Sequence, residues 1–332
     1  MREKFPIKKY FLLTLMFFFA FGFAKFEALA ISPTSISVNV VPQNPGPGES
    51  VTITLGSFLA NLDIVNITWY LNGKNSSAGV GQKSFTLNAP NVGAESIVEA
   101  NITLPDGEIR KRIIIRPSKM VLLWQATDSH TPPFYRGKAL PTAESGIKIV
   151  AMPEIKSGGA MLSSKNMSYD WKKNYTNLSG SSGYGKNFFT YVGDYLTDTN
   201  TIGVLAQTTD QRYSSEGSVQ IRSYEPKIVF YEKNPDLGIL WERALASPHQ
   251  MQNGEINLVA VPYFMSPKDI RRPDLVFNWF VNNELIATPI FNKNTIPLRI
   301  EEGNSGTSRV RLEIENTYKI FQTAEREINI QF

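Results

Sequence analysis

The chain has 332 residues, of which 42% are hydrophobic, so it is long enough for about three domains of ordinary size. It contains no cysteine, which excludes disulfide scaffolds, thiolate zinc sites, cysteine nucleophiles and lipid attachment at cysteine. The net charge is +4, but five of the 34 basic and two of the 30 acidic residues lie within residues 1–30, which leaves about +1 elsewhere. That balance excludes nucleic acid as a partner, because phosphate binding needs a basic stripe in the folded part.

Residues 1–30 predict a signal peptide or membrane anchor. Basic residues come first, an apolar run from Tyr10 to Ala24 follows, and Ala28-Leu29-Ala30 has the small-x-small form of a cleavage site. An uncleaved anchor helix is the alternative, although 15 residues rise only about 22 Å as a helix, against a hydrocarbon core of ~30 Å. Either reading places the remaining chain outside the cytoplasm, at the cell surface, in the periplasm or in the extracellular space.

Residues 31–117, module 1, alternate polar and apolar side chains with a period of two, as half-buried strands do. The turn Pro42–Glu49 separates the first two strands, and Asn72-Gly73 predicts a tight hairpin. The predicted strands are Ser35–Val40, Ser50–Leu55, Asn66–Leu71, Ser96–Leu104 and Glu108–Ile115.

Two further modules follow, because the rest of the chain repeats itself. Ile147–Pro153 recurs as Ile256–Pro262, and Lys119-Met120-Val121 recurs as Lys227-Ile228-Val229, with offsets along the chain that differ by a single position. A nearly constant offset across a whole unit indicates two related domains in tandem. We therefore predict module 2 at 118–226 and module 3 at 227–332.

Each module has one tryptophan in the middle of a predicted strand, namely Trp69, Trp171 and Trp279. Polar neighbours on the opposite face indicate that these indoles are buried and form the structural core. A buried tryptophan on a central strand is typical of strand C in immunoglobulin-like sandwiches.

The chain resembles the bacterial immunoglobulin-like and PKD-like repeat domains of secreted and surface proteins. The resemblance lies in Pro47-Gly48-Glu49, in Ser50–Leu55 and in Thr68–Gly73, and it is strongest in module 1. It implies an all-β fold: three tandem immunoglobulin-like β-sandwiches after an N-terminal signal or anchor helix.

Two loops exceed what a minimal sandwich needs. Asp128–Thr142 is rich in proline, and 178–187 is rich in glycine and serine, which predicts a flexible loop. Tyr184, Lys186 and Asn187 are its candidate binding residues, since loops on a rigid scaffold commonly carry binding sites. The alternative is a connection between strands that has no partner.

No catalytic, cofactor-binding or metal-binding residue is predicted. His130 and His249 fall in different modules and are expected to be exposed loop histidines, and Glu301-Glu302 lies beside a turn. No nucleophile elbow and no cluster for acid–base chemistry is present in the sequence. We expect that the protein is not an enzyme and uses no cofactor.

The sequence therefore predicts a non-catalytic exported structural or interaction protein, a rod of modules at the cell envelope that holds a partner away from the membrane or is a subunit of a surface, secretion or pilus assembly. Its expected partners are envelope or surface proteins. The short linkers Arg116-Pro117-Ser118 and Tyr224-Glu225-Pro226 favour limited hinge motion. The alternative is an adhesin-like protein that recognises glycan or protein through loops of module 2. Membrane contact is expected only through residues 1–30.

Overall fold

A computed structural model describes residues 35–252, 254–289, 292–301 and 303–332. The predicted leader, residues 1–30, lies outside them. The regular structure of the described residues is β-strand, with a short 3₁₀ turn at Ser164–Asn166 and without an α-helix, which confirms the all-β prediction. Within these ranges, no helix is long and apolar enough to span a bilayer.

Module 1 forms two antiparallel sheets that enclose a core around Ile53, Ile67, Trp69 and Ile102. One sheet has the order β1-β2-β5 and the other the order β4-β3-β6-β7. The strands are β1 (Ile36–Val41), β2 (Ser50–Ser57), β3 (Asn66–Leu71), β4 (Lys74–Val80), β5 (Ser84–Asn88), β6 (Ser96–Leu104) and β7 (Gly107–Ile115).

Module 2 repeats this plan with sheets of order β8-β9-β15 and β13-β12-β16-β17, and a short strand, β14, also pairs with β12. The strands are β8 (Lys119–Ala126), β9 (Gly146–Glu154), β10 (Lys156–Ser157), β11 (Ala160–Met161), β12 (Met167–Lys173), β13 (Thr176–Asn177), β14 (Gly183–Tyr184), β15 (Phe188–Val192), β16 (Thr199–Thr208) and β17 (Ser214–Arg222).

Module 3 has sheets of order β19-β18-β21-β24 and β20-β26-β25-β22-β23, so it carries one additional short strand on each sheet. The strands are β18 (Lys227–Asn234), β19 (Gly238–Ile239), β20 (His249–Gln250), β21 (Glu255–Tyr263), β22 (Leu275–Val281), β23 (Glu284–Ile286), β24 (Thr295–Arg299), β25 (Thr307–Asn316) and β26 (Thr323–Gln331). Residues 116–332, which include modules 2 and 3, belong to one compact unit.

All three modules share one topology. Each module has seven main strands, which are β1–β7 in module 1, β8, β9, β12, β13, β15, β16 and β17 in module 2, and β18, β21, β22, β23, β24, β25 and β26 in module 3. In each module the first, second and fifth main strands form one sheet, and the third lies in the middle of the other, between the fourth and the sixth. In constant-type immunoglobulin domains the fourth strand joins the first sheet instead. The tandem immunoglobulin-like sandwich architecture predicted from sequence is thus present, with its edge strand beside the tryptophan strand.

The same turn follows the tryptophan strand in every module. Asn72, Asn174 and Asn282 begin this turn with φ of 50°, 48° and 49°, a region in which asparagine is favoured over most residues. Their side-chain oxygens accept a hydrogen bond at 2.9 Å from the backbone N–H of Ile97, Thr201 and Arg309, respectively. The asparagine therefore fixes both the turn and the start of the sixth main strand.

Candidate functional site

The three predicted core tryptophans are fully buried, each with 0% of its surface exposed. Each indole also donates a hydrogen bond to a carbonyl two residues before the fifth main strand. The pairs are Trp69 to Gln82 at 2.8 Å, Trp171 to Lys186 at 2.9 Å and Trp279 to Lys293 at 2.9 Å. A buried indole N–H needs such a partner, because leaving it unpaired costs free energy.

The residue after each of these acceptors also uses its carbonyl, which accepts a hydrogen bond from the sheet that does not contain the tryptophan. Two consecutive carbonyls therefore tie one short segment to both layers of the sandwich, the first through the indole and the second through a backbone N–H. The second set comprises Leu55 to Lys83 at 2.9 Å, Ala151 to Asn187 at 2.8 Å and Ala260 to Asn294 at 2.9 Å. We call this arrangement the indole clamp.

Lys186 and Asn187, predicted as binding residues, provide the two carbonyls of the clamp in module 2. The Lys186 ammonium is also engaged, since it donates to the Gly180 carbonyl at 2.8 Å. Tyr184 lies on β14 with its ring exposed, and its hydroxyl donates to Asn166. Tyr184 and Lys186 are exposed, whereas Asn187 is half-buried.

The segment 178–187 differs from the flexible loop that its composition predicts. Gly183–Tyr184 pairs with β12. The Ser182 hydroxyl accepts from the backbone N–H of Trp171 at 2.9 Å and donates to the Leu178 carbonyl at 2.8 Å. Strand β12 has an open edge there, and its backbone groups hold the serine-rich segment against the sheet.

The other long connection of module 2, Asp128–Thr142, meets module 3. The His130 N–H donates to the Met265 carbonyl, and the Phe264 N–H donates to the His130 carbonyl, both at 2.7 Å. Thr142 donates through its hydroxyl to the Phe264 carbonyl at 3.2 Å. We call this contact region between modules 2 and 3 the junction.

The prediction of exposed loop histidines is wrong for His130, which is half-buried in the junction. Its Nδ1 lies 2.7 Å from the Lys268 carbonyl, which can only accept, so the neutral ring carries its proton on Nδ1. Burial lowers the pKa of His130, against the smaller opposing effects of this bond and of nearby Asp269. His249 is also partly buried, on β20 beside β26.

A lysine from module 3 closes the junction. The Lys319 ammonium donates to the Asp128 carboxylate at 2.6 Å, to the Glu144 carbonyl at 2.8 Å and to the Ser266 hydroxyl at 3.3 Å. Three acceptors satisfy all three of its N–H groups. The acceptors come from both modules, so this side chain holds modules 2 and 3 in one relative position.

Buried amides lie behind the lysine. Gln322 is fully buried, donates to the Ala143 carbonyl at 2.6 Å and accepts from the Ser266 N–H at 2.9 Å. Asn316 is also buried and donates to the Ser266 carbonyl at 2.7 Å. Because buried amides tolerate few alternative geometries, this network specifies one arrangement of the two modules.

Aromatic rings flank the polar network. Tyr195 of module 2 stacks on Phe321 of module 3 with ring centroids 4.8 Å apart, and Tyr135 packs edge-on against Tyr263 and Phe264 at 5.9 and 5.8 Å. Such pairs add stability beyond the area that they bury. The junction therefore combines apolar packing with a charged and hydrogen-bonded centre.

Side chains that commonly bind metal ions are dispersed in the structure. In the part of the chain that the structure describes, no three histidine, aspartate or glutamate side chains are grouped as metal ligands. A cleft of about 1130 Å³ beside the junction is open and lined by charges of both signs, among them Asp198, Arg222, Lys227 and Glu313. Charges of both signs do not favour one class of small ionic ligand.

No family model and no curated protein sequence matches the chain. Solved structures to which it is similar include fibronectin(III)-like modules of Clostridium thermocellum CbhA, with 15% identity over 56% of this chain and 94% of that one and a TM-score of 0.28. The central fibronectin-III array of RIM-binding protein gives 11% identity over 89% and 95%, with a TM-score of 0.30. Sidekick-1 immunoglobulin domains give 10% over 89% and 59%, with a TM-score of 0.22.

Proposed function

We propose that the protein is a non-catalytic exported scaffold, in which modules 2 and 3 form a fixed platform that presents surface to a partner protein at the cell envelope. The observation that carries this proposal is the junction, where Lys319, Gln322 and His130 join two modules through a dense set of hydrogen bonds. A platform that recognises a partner gains from such rigidity, because little conformational entropy is lost on binding.

Export is the part of this proposal that rests on residues 1–30. It is tested by fusing the full chain to alkaline phosphatase, which is active only outside the reducing cytoplasm. An active fusion is expected, together with an inactive one when Leu12→Arg and Phe18→Arg interrupt the apolar run. Equal activity of both fusions would refute export through this segment.

The interaction role is tested by placing a photo-crosslinking amino acid at exposed positions of the full chain in its native cell. Tyr184, Leu123 and Tyr175 are exposed positions on module 2 that suit this purpose. We expect a discrete cross-linked protein from at least one site. Irradiation that yields no adduct at any of them would contradict the proposal.

The adhesin-like alternative has support from Tyr184, whose exposed ring could stack on a sugar or on a partner side chain. It predicts that Tyr184→Ala abolishes binding to a glycan array, while the backbone carbonyls of Lys186 and Asn187 keep the clamp intact. Retention of all binding by Tyr184→Ala would remove this alternative. The rod shape stays a prediction, for which solution scattering is the test.

A further inference from the structure

The outer face of the three-stranded sheet in module 2 is apolar and open. Its apolar side chains are Val121, Leu123, Val150, Met152 and Phe188, which the sheet register brings together: Val121 lies opposite Met152, and Leu123 and Phe188 lie on either side of Val150. Leu123, Met152 and Phe188 are 55%, 48% and 50% exposed. Contiguous exposed apolar side chains of this kind mark a contact surface more often than scattered ones do.

The same face is covered in module 3. Tyr231 occupies the position of Leu123 and is 6% exposed, Val259 that of Val150 at 1%, and Val261 that of Met152 at 3%. These residues form an apolar cluster separate from the main core of the module. The repeat thus provides an internal comparison between one sheet face that is sealed and one that is open.

A segment of module 3 itself makes the seal. After β18 the chain turns back as β19, and Ile239 and Trp241 pack on the face. The rings of Trp241 and Tyr231 lie 5.3 Å apart, and the hydroxyls of Tyr231 and Tyr263 are hydrogen-bonded at 2.9 Å. An aliphatic residue and a tryptophan two positions apart are therefore the chemistry that fits this kind of face.

Module 2 cannot seal its own face in this way, because the corresponding connection is used in the junction. After β8, Ala126 donates to the Ala139 carbonyl and Thr127 to the Gly146 carbonyl. His130 then pairs with Phe264 and Met265 of module 3. The segment that would cover Leu123 is thus hydrogen-bonded elsewhere.

Charge narrows the chemistry of the occupant. Lys148 is exposed on the same face, two residues before Val150 on β9, with its ammonium 4.7 Å from the Phe188 ring centroid. The segment that seals module 3 has Asp236 and Glu242 on either side of Leu237–Trp241. A segment flanked by acidic residues would place a carboxylate near Lys148.

We propose that the outer face of module 2 binds a partner protein through an extended segment that carries an aliphatic residue and a tryptophan two positions apart, flanked by acidic residues. This inference rests on the proposed scaffold function and names its binding surface and the chemistry of its partner. A tryptophan that enters an apolar patch commonly supplies most of the affinity of a small interface. One such patch is smaller than a standard interface, so the contact is transient.

The test uses the full chain and a fluorescent peptide that copies residues 234–243, which seals the equivalent face of module 3. We expect saturable binding by fluorescence anisotropy, and at least a tenfold loss of affinity in Leu123→Lys or Met152→Lys. Val80→Lys, at a 69% exposed position of module 1, is the matched control and is expected to bind normally. A peptide with alanine in place of Trp241 is expected to lose binding as well.

No saturable binding, or equal binding by Leu123→Lys and wild type with both folded by circular dichroism, would overturn the proposal. A concentration-dependent dimer that Leu123→Lys abolishes would overturn it too, because a second copy would then be the occupant. These failures leave the scaffold function standing if cross-linking through Tyr184 captures a partner. A lack of cross-links at every site counts against the scaffold function itself.

Discussion

At the residue scale, the indole clamp substitutes for the disulfide that a cysteine-free sandwich lacks. The tryptophan fills the space between the sheets, and its N–H holds the segment before the fifth main strand. In modules 1 and 2 an aromatic residue of that strand packs against the indole: Phe85 lies 5.4 Å from Trp69 and Phe189 lies 5.8 Å from Trp171. In module 3 the ring comes from Phe230 instead, at 5.8 Å from Trp279.

The substitution Trp171→Phe removes the hydrogen bond of the clamp and keeps most of the aromatic packing. Phenylalanine retains an aromatic ring but leaves the Lys186 carbonyl without its indole donor. We expect the free energy of unfolding to fall by about 1–3 kcal/mol, the typical cost of an unmet buried hydrogen bond, as measured by urea denaturation. Trp124→Phe, at a half-buried position under Lys138, is the control and should cost less. Equal losses in the two variants would contradict the clamp.

The position of the indoles was predictable, while their hydrogen bonds were not. Alternation around Trp69, Trp171 and Trp279 indicates which face of the strand is buried, because the side-chain period of a strand is two. The acceptors lie 13 to 15 residues away along the chain, beyond the strand that follows the tryptophan strand. No local pattern specifies where such a distant segment lies, so the sequence does not predict that the carbonyls of Lys186 and Asn187 form the clamp.

At the element scale, the junction gives a function to the proline-rich connection of module 2. A sequence pattern shows that Asp128–Thr142 is long, but it cannot show that His130 meets Phe264 and Met265, which belong to the next module. Polar contacts between loops that are distant in the chain produce no periodic pattern in the sequence. The strands themselves were predictable, since the nearly constant offset of the repeat correctly aligns β8 with β18 and β9 with β21.

The junction is expected to be sensitive to pH through His130. Burial holds its folded pKa below the ordinary histidine value of 6.5, so the unfolded or undocked state takes up a proton more readily. The stabilising contribution is complete above pH 6.5 and is lost as the pH falls below this value toward the folded pKa. The temperature at which modules 2 and 3 unfold should therefore fall when the pH is lowered from 7.5 to 5.5.

His130→Asn is the matched variant, because its amide can still donate to the Lys268 carbonyl but does not titrate in this range. We expect the unfolding temperature of the variant to fall less than that of wild type between pH 7.5 and 5.5. Asp269 is the nearby charged group that opposes the lowering of the His130 pKa, and the variant keeps this residue. Identical pH profiles for wild type and variant would show that His130 does not control the junction.

At the scale of the whole molecule, one sequence repeat has been used in two ways. Module 3 seals the outer face of its sheet with Ile239 and Trp241, whereas module 2 directs the equivalent connection into the junction and leaves Leu123 and Met152 exposed. Modules 2 and 3 could be predicted from the repeat and module 1 from its alternating strands, although the boundaries themselves stay a prediction. The difference between the open face of module 2 and the sealed face of module 3 could not be predicted. It depends on the paths of the connections after β8 and β18, which differ in sequence.

The central claim is that modules 2 and 3 behave as one structural unit. Hydrogen exchange of the full chain in increasing urea, read on peptides that contain Trp171 and Trp279, tests it most directly. We predict that both peptides lose protection at the same urea concentration, and that Gln322→Ala, which removes the buried amide between Ala143 and Ser266, separates them. Wild-type peptides that open at clearly different urea concentrations would contradict the claim.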